Sequence, residues 1–263
     1  MSMQYSQEEG VVLLEHTGAV AIITLSRPHV LNALTWVMYQ QMEAHLESLA
    51  ADEEIRVIIM RGDGNAFAAG TDISQFRGFT GADGAAYEQK MEAITEKVYN
   101  FPKPVIAAIH GYAVGAGIVL SSVCDLRYAT PTSRFGAPVA RTLGNGLSLK
   151  NYQHLADSFG TMHAKEMLFT ARLLSAEEAL QCGFLTAIVE EERIFAHVLE
   201  IAQQMCTLAP LTLWATKEAQ RRIEAAQNDI LFDDVLERIY KSHDFAEGVR
   251  AYVEKRKPQW QGR

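Results

Sequence analysis

Cysteine is scarce in this 263-residue chain. Cys124, Cys182 and Cys206 are an odd, widely spaced set. That excludes a disulfide framework and gives no metal-ligand spacing, so buried small hydrophobes in a reducing compartment are the simple reading. No apolar run approaches the ~20 residues a membrane helix needs. The N-terminus, MSMQYSQEEG, is polar and acidic, unlike a signal or transit peptide. The expectation is a soluble cytoplasmic protein without membrane contact. Positive charge is also short: the net charge is −8, with both signs interspersed. A phosphate backbone needs a basic stripe, so nucleic acid is not an expected partner. No Gly-Lys-Ser/Thr follows a glycine loop, and no Gly-x-Ser-x-Gly elbow occurs, which argues against a P-loop and a serine hydrolase. Gly115-Ala116-Gly117 is followed by Ile118, Val119 and Leu120, so the dinucleotide fingerprint is not met either.

What is present is a large apolar fraction, 48%, enough for a sizeable core. The length allows one large domain, or one domain with an appendage. Val11–Leu14 and Ala19–Leu25 form an expected hairpin around Thr17-Gly18. Thr35 then precedes Met38, Met42, Leu46 and Leu49, the spacing of an amphipathic helix with a threonine N-cap. Arg56–Met60 and Val105–Ile109 read as buried strands. Between them a helix is expected from about Asp83, with Tyr87, Met91, Ile94 and Val98 on its apolar face. Strand, glycine loop and helix recur, as in a mostly parallel sheet covered on both sides. Past Gly144 helices dominate. Ser175-x-x-Glu178 is a capping box, Gly183 a helix stop, and Phe184–Val189 one more strand. Helices are expected over Leu211–Ala226, behind Pro210, and over Leu231–Lys257.

Two glycine loops carry the chemistry, GNAFAAGTDIS and GYAVGAG. Gly70, Gly115 and Gly117 let backbone approach a ligand. Amides at a helix start lack intrahelical partners and meet the positive end of its dipole. With no lysine beside them, the fitting guest is an oxygen that becomes negative only during reaction. One amide from each loop could form an oxyanion hole, where a donor is worth about 2.7–4 kcal/mol. Alternatively the glycines only permit close packing.

Six motifs in order carry a resemblance: ITLSRP with Asn32-Ala33-Leu34, Phe67–Ile73, Gly111–Gly117, Phe135–Pro138, Ser175–Ala179 and Glu247–Arg250. From about residue 10 to Pro258 the chain resembles the crotonase (enoyl-CoA hydratase/isomerase) family. The resemblance implies an α/β fold, a spiral of ββα units over residues 1–195. A helical C-terminal region, 196–263, would serve trimerisation and active-site closure. It implies an acyl-CoA substrate, no metal or other cofactor, and a homotrimer or homohexamer. It gives the backbone N–H groups of Thr71 and Ala116 the oxyanion-hole role. It places acyl-CoA contacts at Leu31, Ala69, Gly70, Asp72, Ile73, Val114, Gly117, Pro138 and Lys257. The Thr71 hydroxyl is expected to face its own loop, and Asp72 to fix its turn.

The sequence departs from the family where hydratases carry two glutamates. Val119 and Val139 stand there, and valine moves no proton. Acid–base catalysis is typically worth ~10²–10⁴-fold, so ordinary hydration is disfavoured. Isomerisation, decarboxylation or thioester hydrolysis through an enolate stay open, as does a catalytically silent acyl-CoA binder. Glu88 is the candidate proton carrier, although Glu88 and Glu92 read most simply as a solvated helix face. Arg141 is a candidate for binding a carboxylate on the acyl chain. Tyr87, His110 and His154 read as structural.

Overall fold

The computed structural model describes residues 9–225, 237 and 240–259. The expected hairpin forms: β1 (Val11–Thr17) pairs antiparallel with β2 (Val20–Ser26), residue 17 opposite residue 20. From β2 onward the sheet is parallel, through β3 (Val57–Gly62), β4 (Val105–Ile109), β6 (Leu126–Ala129) and β9 (Ala187–Ile188). The spatial order is β1-β2-β3-β4-β6-β9. A second sheet joins β5 (Tyr112–Val114), β7 (Arg134–Gly136) and β8 (Leu174–Ser175).

Side chains alternate along the parallel strands and so build two cores. Ala21, Ile23, Ile58, Met60, Ala107 and Ile109 face the larger one. Helices α1 (Trp36–Ala51), α2 (Gly81–Tyr99), α3 (Ala116–Ser122) and α5 (Leu149–Phe159) pack there. A short α4 (Val139–Thr142) lies between α3 and α5, and α6 (Thr161–Thr170) and α7 (Ala176–Gln181) follow. Val20, Ile22, Val57, Ile59, Ile106 and Ala108 face the other way. They are covered by Ile194, Val198 and Ala202 of α8 (Ile194–Cys206). Burial on both faces is why these strands read as continuous apolar runs rather than alternating ones.

Local chemistry sets the boundaries. The Thr35 side chain accepts from Met38 N at the start of α1. Helix α2 begins at Gly81, earlier than expected, because Thr80 is the cap and Asp83 closes its capping box. Gly183 adopts φ 83 after α7, as a helix stop requires. The strand expected over Phe184–Val189 shrinks to Ala187–Ile188, the two residues that pair with β6. Helix α9 (Pro210–Ala225) starts at its proline. Of the helix expected over Leu231–Lys257, residues 231–236, 238 and 239 lie outside the described residues. The rest is interrupted at Ser242, whose hydroxyl caps α10 (His243–Val253).

The C-terminal segment returns to the first half of the chain. A Cβ on Gly84 would lie 1.7 Å from Tyr240 Cδ1, so glycine lets the tyrosine ring sit directly on α2. Tyr240, Phe245 and Val249 form a third core with Phe76 and Leu143. No helix among the described residues is long and apolar enough to cross a membrane.

Candidate active site

The first glycine loop is held by one buried amide. Leu31 and Asn32 both have positive φ, 54 and 57, a conformation asparagine tolerates. Asn32 is fully buried. Its Nδ2 donates to Asp63 O (2.8 Å) and Ala66 O (2.7 Å), and its Oδ1 accepts from Arg27 N (2.8 Å). Leu31 O takes the Ala69 N–H at 2.9 Å. Asp72 pairs with Arg27 Nη1 at 2.8 Å and accepts from Ser74 N at 3.0 Å. Partial burial opposes its ionisation, but the bonds from Ser74 and Arg27 outweigh that and hold the carboxyl below its ordinary value. Asp72 therefore fixes the turn.

Leu34 bridges to Thr71 in parallel fashion. Leu34 N donates to Gly70 O (2.8 Å), and Asp72 N donates to Leu34 O (2.9 Å). This pattern turns the Thr71 N–H away from Leu34. In the second loop Gly115 adopts φ 57, ψ −120 and its N–H donates to Gly136 O. Ala116 is then the first residue of α3, where an N–H has no intrahelical acceptor. Neither the Thr71 nor the Ala116 N–H bonds an acceptor among the described residues. The loops touch: a Cβ on Gly70 would lie 3.8 Å from Ala116 N, and one on Gly115 would lie 3.4 Å from Gly70 Cα. Gly117 is needed for this approach, because its Cβ would meet Ala68 O at 2.2 Å.

Both loops open on a cavity of ≈ 150 Å³. Ala69, Gly70, Thr71, Ile73, Val114, Ala116 and Pro138 line it, as do Val119 and Val139. No lysine, arginine or histidine is among the described lining residues. Arg141 is exposed on α4, Lys257 is exposed beyond α10, and neither lines the cavity. Leu31 stands on the surface at the rim of the first loop. His110 bonds Gly64 O and His154 bonds Glu96; both lie outside the lining.

Glu88 is not on a solvated face. It lines the cavity and is only 2% exposed. Gly84, Glu88, Met91, Thr95 and Val98 are all buried on α2. That is i, i+4, i+7, i+11, i+14, a stripe that could have been read from the sequence. The Glu88 carboxylate accepts from the Tyr240 hydroxyl and from Ser148 N (3.1 Å), the residue that caps α5. Burial is the largest influence and pushes its pKa up to about 7. The bonds from Tyr240, Ser148 N–H and Asn145 oppose it, while the charge of Glu92 adds to the rise.

Two further side chains depart from expectation. The Thr71 hydroxyl does not merely face its loop: it bonds Tyr39 Oη (2.7 Å) and Tyr87 Oη (2.9 Å). Tyr87 packs edge-on against Phe76 and Trp36, yet it also lines the cavity. Tyr39 and Tyr240 were not among the expected site residues, since only long-range packing brings them here, whereas Asn145 lies in the segment after Pro138 where catalytic groups were sought.

Comparisons with known proteins point to one family. The family model for enoyl-CoA hydratase/isomerase matches residues 15–263. A probable enoyl-CoA hydratase of Rhizobium meliloti is 32% identical, over 96% of this chain and 98% of that one. A solved enoyl-CoA hydratase/carnithine racemase from Magnetospirillum magneticum is 31% identical, covering 96% of each chain, with a TM-score of 0.78. A methylmalonyl-CoA decarboxylase in complex with 2-nitronate-propionyl-CoA is 31% identical over 96% of this chain and 98% of that one, with a TM-score of 0.87. With the motifs in order and the crotonase fold over almost its whole length, this chain belongs to the enoyl-CoA hydratase/isomerase family.

Proposed function

We propose that the cavity binds the acyl end of a CoA thioester. The Thr71 and Ala116 N–H groups take the thioester oxygen as it gains enolate charge, and Glu88 moves the proton. The observation that carries this reading is Glu88 itself: a carboxyl buried in the same cavity as two unclaimed amides, with a pKa of about 7. A group poised there both accepts and returns a proton near neutral pH. Val119 and Val139 offer no second acid, which argues against two-glutamate hydration. A single carboxylate suffices for a double-bond shift. Glu88 takes a proton from the α-carbon of a 3-enoyl thioester, the electrons pass into the enolate, and the same proton returns at the γ-carbon.

Decarboxylation is the second reading, favoured by two observations. The described cavity wall holds no cation to stabilise a substrate carboxylate, and the likeness to a methylmalonyl-CoA decarboxylase is high. There the bond to the carboxylate breaks, CO₂ leaves, its electron pair forms the enolate, and protonated Glu88 supplies the α-hydrogen. Assembly as a trimer or pair of trimers, with Lys257 reaching bound CoA, belongs to the same proposal.

The test is a panel of 3-hexenoyl-CoA, methylmalonyl-CoA and crotonyl-CoA with the native chain and Glu88→Gln. Isomerisation that falls at least ~10²-fold in the variant supports the first reading. Release of CO₂ supports the second. Crotonyl-CoA hydration that is unaffected by Glu88→Gln overturns both, and binding without turnover of any substrate identifies a silent homologue.

A further inference from the structure

The three hydroxyls beside the unclaimed amides do not balance. Tyr39, Thr71 and Tyr87 bring three O–H hydrogens, and two oxygen–oxygen contacts join them, 2.7 and 2.9 Å long. Each contact uses one hydrogen. Among the described residues neither phenol has another hydrogen-bond partner, so whichever way the chain runs one O–H is left over. All three residues line the cavity. Hydrogen-bonded chains polarise one another when they run head to tail, which places the spare hydrogen on one of the terminal phenols. A second polar atom is also unsatisfied. Asn145 Nδ2 donates to Gly146 O (3.3 Å) and faces Glu88, which fixes the amide orientation and leaves Oδ1 buried without a partner. A cavity otherwise walled by Leu34, Met42, Met91 and Val119 thus holds one orphaned donor and one orphaned acceptor. Buried polar groups are normally paired, and a site that keeps them unpaired discriminates in favour of a ligand that pairs them.

We propose that the acyl chain of the substrate carries a neutral oxygen substituent, hydroxyl or keto, close to the thioester, and that the Tyr39–Thr71–Tyr87 chain donates the hydrogen bond that selects it. This rests on the first of the two acyl-CoA readings above, isomerisation, since a decarboxylase substrate would carry the carboxylate that the inference excludes. Nearness to the thioester follows from Thr71, whose amide and hydroxyl would serve the two groups from one residue. Neutrality follows from the absence of a cationic side chain among the described lining residues, because a carboxylate here would be desolvated without a partner. Both phenols are rigidly set. Tyr39 is only 2% exposed, and the Tyr87 ring stands 4.7 Å from Phe76.

The test is calorimetric binding of butyryl-CoA, 3-hydroxybutyryl-CoA, acetoacetyl-CoA and succinyl-CoA to the full chain. The native protein should bind at least one of the two neutral oxygenated thioesters about ten-fold or more tightly than butyryl-CoA. That ratio should fall toward one in Tyr39→Phe/Tyr87→Phe. Because the ratio is taken within each protein, a general loss of affinity cancels. Should the double variant fail to fold, the two single phenylalanine variants carry the same comparison. Equal native affinities, a ratio that survives in the phenylalanine variants, or tightest binding of succinyl-CoA overturns the inference while leaving the acyl-CoA reading intact. Failure of all four thioesters to bind overturns that reading instead.

Discussion

The hydroxyl of Tyr240 donates to Glu88 Oε1 across 152 residues of sequence, so the C-terminal segment reaches the proton-carrying group itself. A bond donated to a carboxylate stabilises its charged form. Tyr240 therefore restrains the rise that burial imposes on Glu88. In Tyr240→Phe the ring still packs on Gly84, but the restraint is gone. Where Glu88 acts as base, the rising limb of the pH–rate profile should move from about 7 to higher pH. A midpoint that stays in place would mean that the bond only anchors the tail.

The same raised pKa makes a stability prediction. The folded value, about 7, lies above the ordinary 4.5. The stabilising effect is complete below about 4.5 and is lost as pH rises through 7, because ionisation must then occur inside the protein. Over that window the native chain should lose on the order of 3 kcal/mol relative to Glu88→Gln, whose amide does not titrate. Urea midpoints at pH 5 and pH 8 measure this. Parallel trends in the two proteins would show that Glu88 is better solvated than its 2% exposure indicates.

What the sequence made legible followed from local rules. Thr35 and Ser175 cap their helices as their spacing predicts, and the hairpin turns where expected. The two loops were recognisable because their glycines stand at the close approaches: Gly117 against Ala68, Gly115 against Gly70. Glu88 stands as the candidate proton carrier in the sequence, but its charge favours a solvated face there, while its position on the buried stripe of α2 says otherwise. Tyr240 and Tyr39 gave no local signal. Tyr240 reaches Glu88 through tertiary packing on Gly84, and Tyr39 meets Thr71 only because α1 lies beneath the first loop.

The oxyanion proposal can be tested by replacing one amide hydrogen with a ring methylene, which abolishes the donor. Ala116 is the first residue of α3, a position where proline is well accepted. A residue before proline must avoid the helical region. Gly115, at φ 57 and ψ −120, sits at the mirror image of the extended conformation that proline prefers before it, and glycine adopts that at no steric cost. Ala116→Pro should therefore keep the fold and lose the N–H. Turnover should drop about 10²–10³-fold, with the circular dichroism spectrum unchanged. Turnover within a few-fold of native would remove Ala116 from the chemistry.

Asn32 tests whether the first loop depends on its buried amide. Asn32→Asp keeps the size and tolerates the same φ of 57. However, it places a carboxylate oxygen opposite Asp63 O and Ala66 O, where Nδ2 donated at 2.8 and 2.7 Å. An ionised aspartate in that fully buried position is repelled by both carbonyls, so its folded pKa must rise above the ordinary value. The protonated form restores one donor, to one carbonyl. Stability should thus be partly recovered below the ordinary aspartate pKa and lost as pH rises through the elevated folded one. At pH 8 the deficit against the native chain should be about 3–5 kcal/mol, the scale for an uncompensated buried charge. Guanidinium midpoints at pH 4 and pH 8 give the comparison. A deficit under about 1 kcal/mol at both would mean that the backbone turn, rather than the side chain, holds the loop.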